Sequence, residues 1–107
     1  GNDDQIVPIL SLGGAAVISV LSNPMPKETS RMCHAFFEGN IEEARKLQLD
    51  LVPLINALFC EVNPIPAKAA MAAMGFCDDY VRLPLTVMED NTKAVLLEKM
   101  REQGLDV

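Results

Sequence analysis

Basic side chains are in short supply in this chain of 107 residues. Nine Lys and Arg stand against fifteen Asp and Glu, which gives a net charge of −6. A chain of that sign has no electrostatic reason to follow a phosphate backbone. We therefore expect no nucleic-acid partner.

Cysteine and histidine are too few for a disulfide framework or a metal centre. The three cysteines, Cys33, Cys60 and Cys77, are odd in number and have no C-x-x-C spacing. A small secreted domain usually has an even set, so we expect free thiols and a cytoplasmic location. The one histidine, His34, directly follows Cys33, and adjacent residues do not face each other on a helix. We expect neither a metal nor a cofactor.

Long apolar runs are also missing. The longest run, 13–21, is interrupted by Gly14 and Ser19 and is far shorter than the ~20 residues that a membrane span requires. We therefore expect no membrane partner. Half of the residues are nonetheless hydrophobic, which is enough apolar surface to offset the entropy of ordering a chain. The composition predicts a folded protein.

Apolar periodicity and helix-end signals make the chain mostly α. They predict about five helices, at 3–12, 26–38, 40–58, 67–74 and 90–103. Asn2 or Asp3 is expected to cap the first helix, and Asn40 the third, with Glu43 at the capping-box position. Pro53 lies within the third helix and is expected to kink it. For the last helix we expect an inward face formed by Ala94, Val95, Leu97 and Met100.

The run at 15–21 differs in kind from the helices. It is short, continuously apolar and rich in β-branched residues, and it lies between a Gly-Gly pair and a Ser-Asn-Pro turn. This pattern is typical of a strand that is buried on both faces, as in a parallel sheet. The sequence thus predicts one buried β-strand between two helices, although a single strand cannot form a sheet and no second convincing strand follows.

Several features invite a catalytic interpretation, and each has a simpler structural one. The acidic pairs at 3–4 and 78–79 are suited to acid–base work or to a cation, yet adjacent Asp residues more often cap helices and turns. Lys68 follows a Pro-rich turn, but nothing in its local sequence desolvates it or places a cation beside it, as a nucleophilic Lys needs. The residues alone therefore predict no catalytic constellation.

Five short motifs follow one another along the chain. They are G-N-D-D at 1–4, L-G-G at 12–14, V-I-S-V at 17–20 followed by Asn23, N-P-I-P-A-K at 63–68 and R-L-P-L at 82–85. In this order they closely resemble the C-terminal part of the dihydrodipicolinate synthases, within the pyruvate-dependent Schiff-base aldolase family that also includes N-acetylneuraminate lyase. The resemblance covers essentially the whole chain, and its last two motifs favour the synthases over their sugar-acid relatives.

The resemblance implies part of a (β/α)₈ TIM barrel with an appended helical bundle. On this basis residues 1–38 are the last part of the barrel: the end of strand seven, helix seven, strand eight and helix eight. Residues 39–107 are the C-terminal helical bundle. The chain begins with Gly-Asn-Asp-Asp rather than Met, and we expect it to be a fragment of a longer enzyme.

The resemblance also implies a reaction in which a Lys amine forms an imine with pyruvate. The derived enamine attacks aspartate semialdehyde, and the product feeds lysine biosynthesis through the diaminopimelate pathway. The Schiff-base Lys of the family lies on strand six, which this chain does not contain. We therefore expect a lyase fragment that is inactive alone, with no catalytic residue of its own.

Two substrate-binding residues are carried over by the resemblance. Ile18, within V-I-S-V, matches the residue whose backbone lines the pyruvate and lysine pocket, and Gly1 matches the strand-seven Gly beside it. Many relatives have Asp where this chain has Asn2. A charge-dependent role is therefore not carried over to that position.

The expected partners are pyruvate and aspartate semialdehyde in the intact enzyme, together with further copies of the chain, since the family is tetrameric. Two alternatives stay open. One is a fragment of another pyruvate aldolase such as N-acetylneuraminate lyase. The other is a stand-alone helical interaction or assembly module, whose apolar fraction would lead it to self-associate.

Overall fold

The computed structural model describes residues 1–107 and contains helices but no strand. A 3₁₀ turn at Asp3–Gln5 leads into α1, and the other helices follow in chain order. The bounds are α1 Ile6–Ser11, α2 Pro26–Phe37, α3 Ile41–Leu58, α4 Ile65–Ala73 and α5 Asp90–Glu102. The expectation of about five helices is confirmed. No helix in this set combines the length and the apolar character needed to cross a bilayer.

The prediction of a buried strand at 15–21 is wrong for this chain. Residues 14–19 have no regular secondary structure, residue 20 is a bend, and Leu21 begins a turn. Most of the run is exposed or half-buried, and Ile18 keeps 88% of its surface. The physical reason is that a strand exists only through hydrogen bonds to a neighbouring strand, and the chain supplies none.

The chain divides into two compact units, 1–52 and 53–107, and the division falls within α3. Pro53, at the start of the second unit, lies inside that helix, which continues past it to Leu58. The predicted boundary at 38/39 separates a barrel part from a helical bundle, and the division into compact units does not test it. It stays a prediction.

In the first unit, α1 contacts α2. Pro26 begins α2 at a position where its missing N–H costs nothing. At the start of α3 the backbone N–H of Glu43 donates to Asn40 Oδ1 at 3.3 Å, and Asn40 Nδ2 donates to Glu43 Oε2 at 2.9 Å. The predicted pairing of these two residues is confirmed. The buried apolar side chains of the unit include Ile6, Leu10, Leu21, Met25, Met32, Ala35, Ala44 and Leu51.

In the second unit, α4 contacts α5. Ala69 and Ala70 are buried, and such small side chains allow a close approach. The predicted inward face of α5 is confirmed at Met100 but wrong at Ala94 and Val95, which are exposed, whereas Leu96 is completely buried. Leu96 and Met100 are four residues apart and so share one face of the helix. The buried face of α5 therefore lies at Leu96 and Met100 rather than at Ala94 and Val95.

This difference between neighbouring residues predicts unequal effects of truncation. We expect Leu96→Ala to lower the free energy of unfolding by about 2–5 kcal/mol, because it leaves a cavity. Val95→Ala on the exposed side is the matched control, and we expect a change within about 0.5 kcal/mol. Urea unfolding followed by circular dichroism measures both, and equal losses would contradict the observed helix face.

Candidate functional site

A buried carboxylate is the polar centre of the first unit. Asp3 is 1% exposed, and its two oxygens accept hydrogen bonds from three donors. Ser19 Oγ donates to Oδ1, while the backbone N–H groups of Val20 and Leu21 donate to Oδ2 at 2.9 and 3.2 Å. Burial of a charged group is tolerable when donors replace its water in this way. Asp3 therefore holds the chain sixteen to eighteen residues further on.

A second buried polar side chain joins the same network from α3. Gln48 is buried, and its Nε2 donates to the backbone oxygen of Asp3 at 2.9 Å. Its Oε1 accepts from the backbone N–H of Val7 at 3.0 Å. The Asp3 cluster, defined as Asp3, Ser19, Val20, Leu21 and Gln48, thus connects the start of the chain, the segment before α2 and the body of α3.

The Asp3 cluster continues into a tight turn. The backbone N–H of Ser22 donates to Ser19 Oγ at 2.9 Å, and Ser22 Oγ donates to the backbone oxygen of Ser19 at 3.0 Å. Asn23 Nδ2 donates to the backbone oxygen of Val20 at 3.0 Å. The backbone from Ser19 onward is therefore fixed at several points.

The two predicted substrate-binding residues flank this cluster. Ile18 immediately precedes Ser19 and exposes its side chain. Gly1 lies two residues before Asp3 and is exposed, with no heavy atom within 4 Å of where a Cβ would be. Each thus lies within two residues of a fixed point. Nothing in the geometry shows a ligand at either of them.

The other sequence candidates have structural roles or lie on the surface. Asp79 forms an ion pair with Lys93 at 3.5 Å, and Asp78 Oδ1 accepts from the backbone N–H of Tyr80 at 3.3 Å. Asp4 is exposed, unlike its neighbour Asp3. No group of three or more His, Cys, Asp or Glu is placed to hold a metal ion.

Two of the thiols, Cys33 and Cys60, have surroundings that disfavour the reactive thiolate. Burial raises the pKa of Cys33, and burial together with the nearby charge of Glu61 raises the pKa of Cys60. A raised pKa reduces the thiolate fraction at neutral pH, and the thiolate is the reactive form. The ion pair of Arg31 with Glu43 lowers the pKa of the Glu43 carboxyl, chiefly through its hydrogen bond.

Sequence reasoning missed the role of Asp3. Asn2 or Asp3 was expected to cap the first helix, but Asn2, at the N-cap position, makes no side-chain cap hydrogen bond. The Asp3 carboxylate instead accepts from residues far along the chain. Asp caps are common, and no local signal distinguishes a capping Asp from one whose partners are distant. Gln48 lies within an ordinary amphipathic pattern, and nothing in that pattern indicates that its side chain bonds to the backbone of Asp3.

These features occur in a chain whose family is now shown by comparison. The model of the Dihydrodipicolinate synthetase family matches residues 1–103. The chain belongs to this family.

Particular relatives carry the name 4-hydroxy-tetrahydrodipicolinate synthase. The chain is 54% identical to that of Caldicellulosiruptor bescii over 107 residues, covering 100% of this chain and 36% of the relative. It is 52% identical to that of Alkaliphilus oremlandii over 105 residues, covering 98% of this chain and 36% of the relative. The chain therefore spans little more than a third of the length of these relatives.

Solved structures of dihydrodipicolinate synthases superpose on almost the whole chain. The dihydrodipicolinate synthase of Thermotoga maritima superposes with a TM-score of 0.97 at 44% identity, over 99% of this chain and 36% of that one. The enzyme of Acinetobacter baumannii, solved in complex with pyruvate, gives a TM-score of 0.94 at 34% identity, over 99% of this chain and 36% of that one. The helices and the irregular segment between α1 and α2 thus form part of the fold of these enzymes.

The Asp3 cluster predicts a sharp difference between two adjacent carboxylates. Asp3→Asn replaces one acceptor oxygen by an amide that faces N–H and O–H donors, and we expect a loss of about 1–3 kcal/mol in the free energy of unfolding. Asp4→Asn, one residue away and exposed, is the control with no measurable loss. Urea unfolding at neutral pH compares them, and an Asp3→Asn protein as stable as the Asp4→Asn protein would show that the cluster does not hold the segment.

Proposed function

We propose that this chain forms the C-terminal part of a 4-hydroxy-tetrahydrodipicolinate synthase. In that enzyme a Lys imine of pyruvate becomes an enamine, which attacks aspartate semialdehyde and supplies lysine biosynthesis. The observation that carries the proposal is the 54% identity, over all 107 residues, to a relative with this name. The alternative of an N-acetylneuraminate lyase is less well supported, because the synthase name recurs among the relatives and the solved structures.

We propose further that residues 1–38 complete a (β/α)₈ barrel and that residues 39–107 form its appended helical bundle. The support is the exposed apolar run before α2. Ile18 is 88% exposed, and an apolar segment of this kind is stable in water only at a cost. Neighbouring barrel strands would bury this run and supply the hydrogen bonds that the chain lacks. The apolar run then becomes the eighth strand.

In such a barrel the chemistry takes place at the carboxyl ends of the strands. The proposed strand eight runs into the turn that the Asp3 cluster fixes. Gly1 and Ile18 therefore belong to the pocket wall in this proposal, Gly1 by leaving space for pyruvate and Ile18 through its main chain. The related enzyme of Acinetobacter baumannii was solved in complex with pyruvate.

The chain contributes pocket walls and no imine-forming amine in this proposal. Lys46, Lys93 and Lys99 are held in ion pairs with Asp50, Asp79 and Glu102. The hydrogen bond to Glu102 raises the pKa of Lys99 and so favours its ammonium form, whereas imine formation needs the free amine. We propose that the nucleophilic Lys belongs to the part of the barrel that precedes this segment.

The intact enzyme is proposed to be a cytoplasmic homo-oligomer. One solved relative, with a TM-score of 0.96 at 44% identity over 99% of this chain and 35% of that one, is described as the first monomeric dihydrodipicolinate synthase variant. That a monomeric form is described there as a first supports an oligomeric state for the intact enzyme in this proposal. The stand-alone assembly module has no comparable support.

A chimera tests the proposal directly. The 36% of the Caldicellulosiruptor bescii synthase that matches this chain is replaced by residues 1–107. We expect the chimera to condense pyruvate with aspartate semialdehyde, because the exchanged parts are 54% identical, and not to cleave N-acetylneuraminate. A folded chimera without condensing activity would contradict the proposal.

Borohydride trapping with labelled pyruvate locates the amine in the same chimera. We expect one labelled Lys, in the portion that comes from the relative, and no label in this chain alone. Label on Lys68 or on any other Lys of residues 1–107 would overturn the assignment.

A substitution at Gly1 tests the pocket wall. We expect Gly1→Val in the chimera to raise the KM for pyruvate, because a side chain would occupy the space left for the substrate. Asp4→Asn, three residues away on an exposed position, serves as the control with an unchanged KM. An unaltered KM in Gly1→Val would remove Gly1 from the site.

A further inference from the structure

The two motifs that favour the synthases meet at one pocket in the second unit. The pocket has a volume of about 390 Å³ and is lined by Pro64, Lys68, Tyr80, Val81, Arg82 and Leu85. The first two residues belong to N-P-I-P-A-K at 63–68, and Arg82 and Leu85 belong to R-L-P-L at 82–85. Segments distant in sequence thus join around one cavity. The proposed function assigns no role to it.

The charged residues that line this pocket are positive, whereas the chain as a whole is negative. The net charge is −6, yet the pocket is lined by a lysine and an arginine and by no carboxylate. Salt bridges join other cations of the chain to acidic partners, but none includes Lys68 or Arg82. In a chain with more acidic than basic residues, two cations without an acidic partner are not expected at the same pocket.

The acidic residues nearest in sequence have other partners. Asp79 pairs with Lys93 at 3.5 Å, and Asp78 Oδ1 accepts from the backbone N–H of Tyr80 at 3.3 Å. Neither lines the pocket. The positive charge of Lys68 and Arg82 is therefore available to a ligand.

The backbone that carries these side chains is fixed by hydrogen bonds. The N–H of Lys68 donates to the oxygen of Pro64 at 2.9 Å in the first turn of α4, and the N–H of Leu85 donates to the oxygen of Arg82 at 3.0 Å across the second motif. Lys68 itself is half-buried. A fixed backbone reduces the conformational entropy that the site would lose on binding, although the side chains of Tyr80 and Arg82 are exposed.

We propose that this pocket binds a small oxyanion, a carboxylate or a phosphate group. The guanidinium of Arg82 presents a planar fork that matches such groups, and the ammonium of Lys68 supplies a compact charge. The hydroxyl of Tyr80 is a further donor. Pro64, Val81 and Leu85 form an apolar wall, which suits the carbon skeleton of a small organic acid.

The chain contains a natural reporter for this site. Tyr80 lines the pocket, and it is the one tyrosine of a chain without tryptophan. Its fluorescence therefore reports on the pocket without interference from other residues of those types. The 107-residue chain is titrated with sodium phosphate and, separately, with sodium succinate, with sodium chloride at matched ionic strength as the reference.

We expect a saturable change in Tyr80 fluorescence with phosphate, succinate or both, and none with chloride. Saturation by succinate alone assigns the site to carboxylates, and saturation by phosphate alone assigns it to phosphate groups. A change that never saturates, or one that chloride reproduces, would overturn the proposal in the unmodified chain.

Variants show whether the two cations form the site. We expect Lys68→Met and Arg82→Gln each to weaken binding about tenfold, since each removes a charge-assisted hydrogen bond. Lys68→Arg keeps the charge and should retain saturable binding. Arg45→Gln removes an exposed cation outside the pocket and should change nothing. Circular dichroism verifies that each variant keeps its helices, and unweakened binding in a folded Lys68→Met, Arg82→Gln double variant would refute the site.

Discussion

The first unit depends on one electrostatic constraint: the carboxylate of Asp3 is buried and must be surrounded by donors. It finds them in Ser19, Val20 and Leu21, while its backbone oxygen accepts from Gln48. These partners come from two stretches of the chain, so three stretches meet at Asp3. The path of the segment before α2 is therefore set by hydrogen bonds to a single carboxylate as well as by the burial of its own apolar side chains.

That constraint explains why the end of the exposed apolar run has a fixed position although no strand lies beside the run. Residues from Ser19 onward are fixed by hydrogen bonds, whereas Ile18 and the residues before it have no strand beside them and stay exposed. In the proposed enzyme the missing strands bury this run and complete the pocket. The chain would then contribute one finished edge of a site whose reacting amine lies in another part.

The helices could be predicted from the sequence because their signals are local. Pro26 at the start of α2 and the pairing of Asn40 with Glu43 were visible as patterns, and both are present. The buried strand was wrong because strand formation depends on partners that no local pattern reveals. The structural role of Asp3 and the shared pocket of Lys68 and Arg82 depend on how residues distant in sequence come together, so periodicity and motif spacing could not predict them.

The central claim is that Asp3 fixes one end of the apolar segment at 15–21 and that neighbouring barrel strands bury the rest of it. Amide hydrogen exchange at 15–21 is the most direct test of this claim. It is measured in this chain and in the chimera with the Caldicellulosiruptor bescii enzyme. We expect the amides of Val20 and Leu21, which bond to Asp3, to be protected in both proteins. Protection at 15–18 should appear only in the chimera. Protection at 15–18 in the chain alone, or its absence in a folded chimera, would contradict the account.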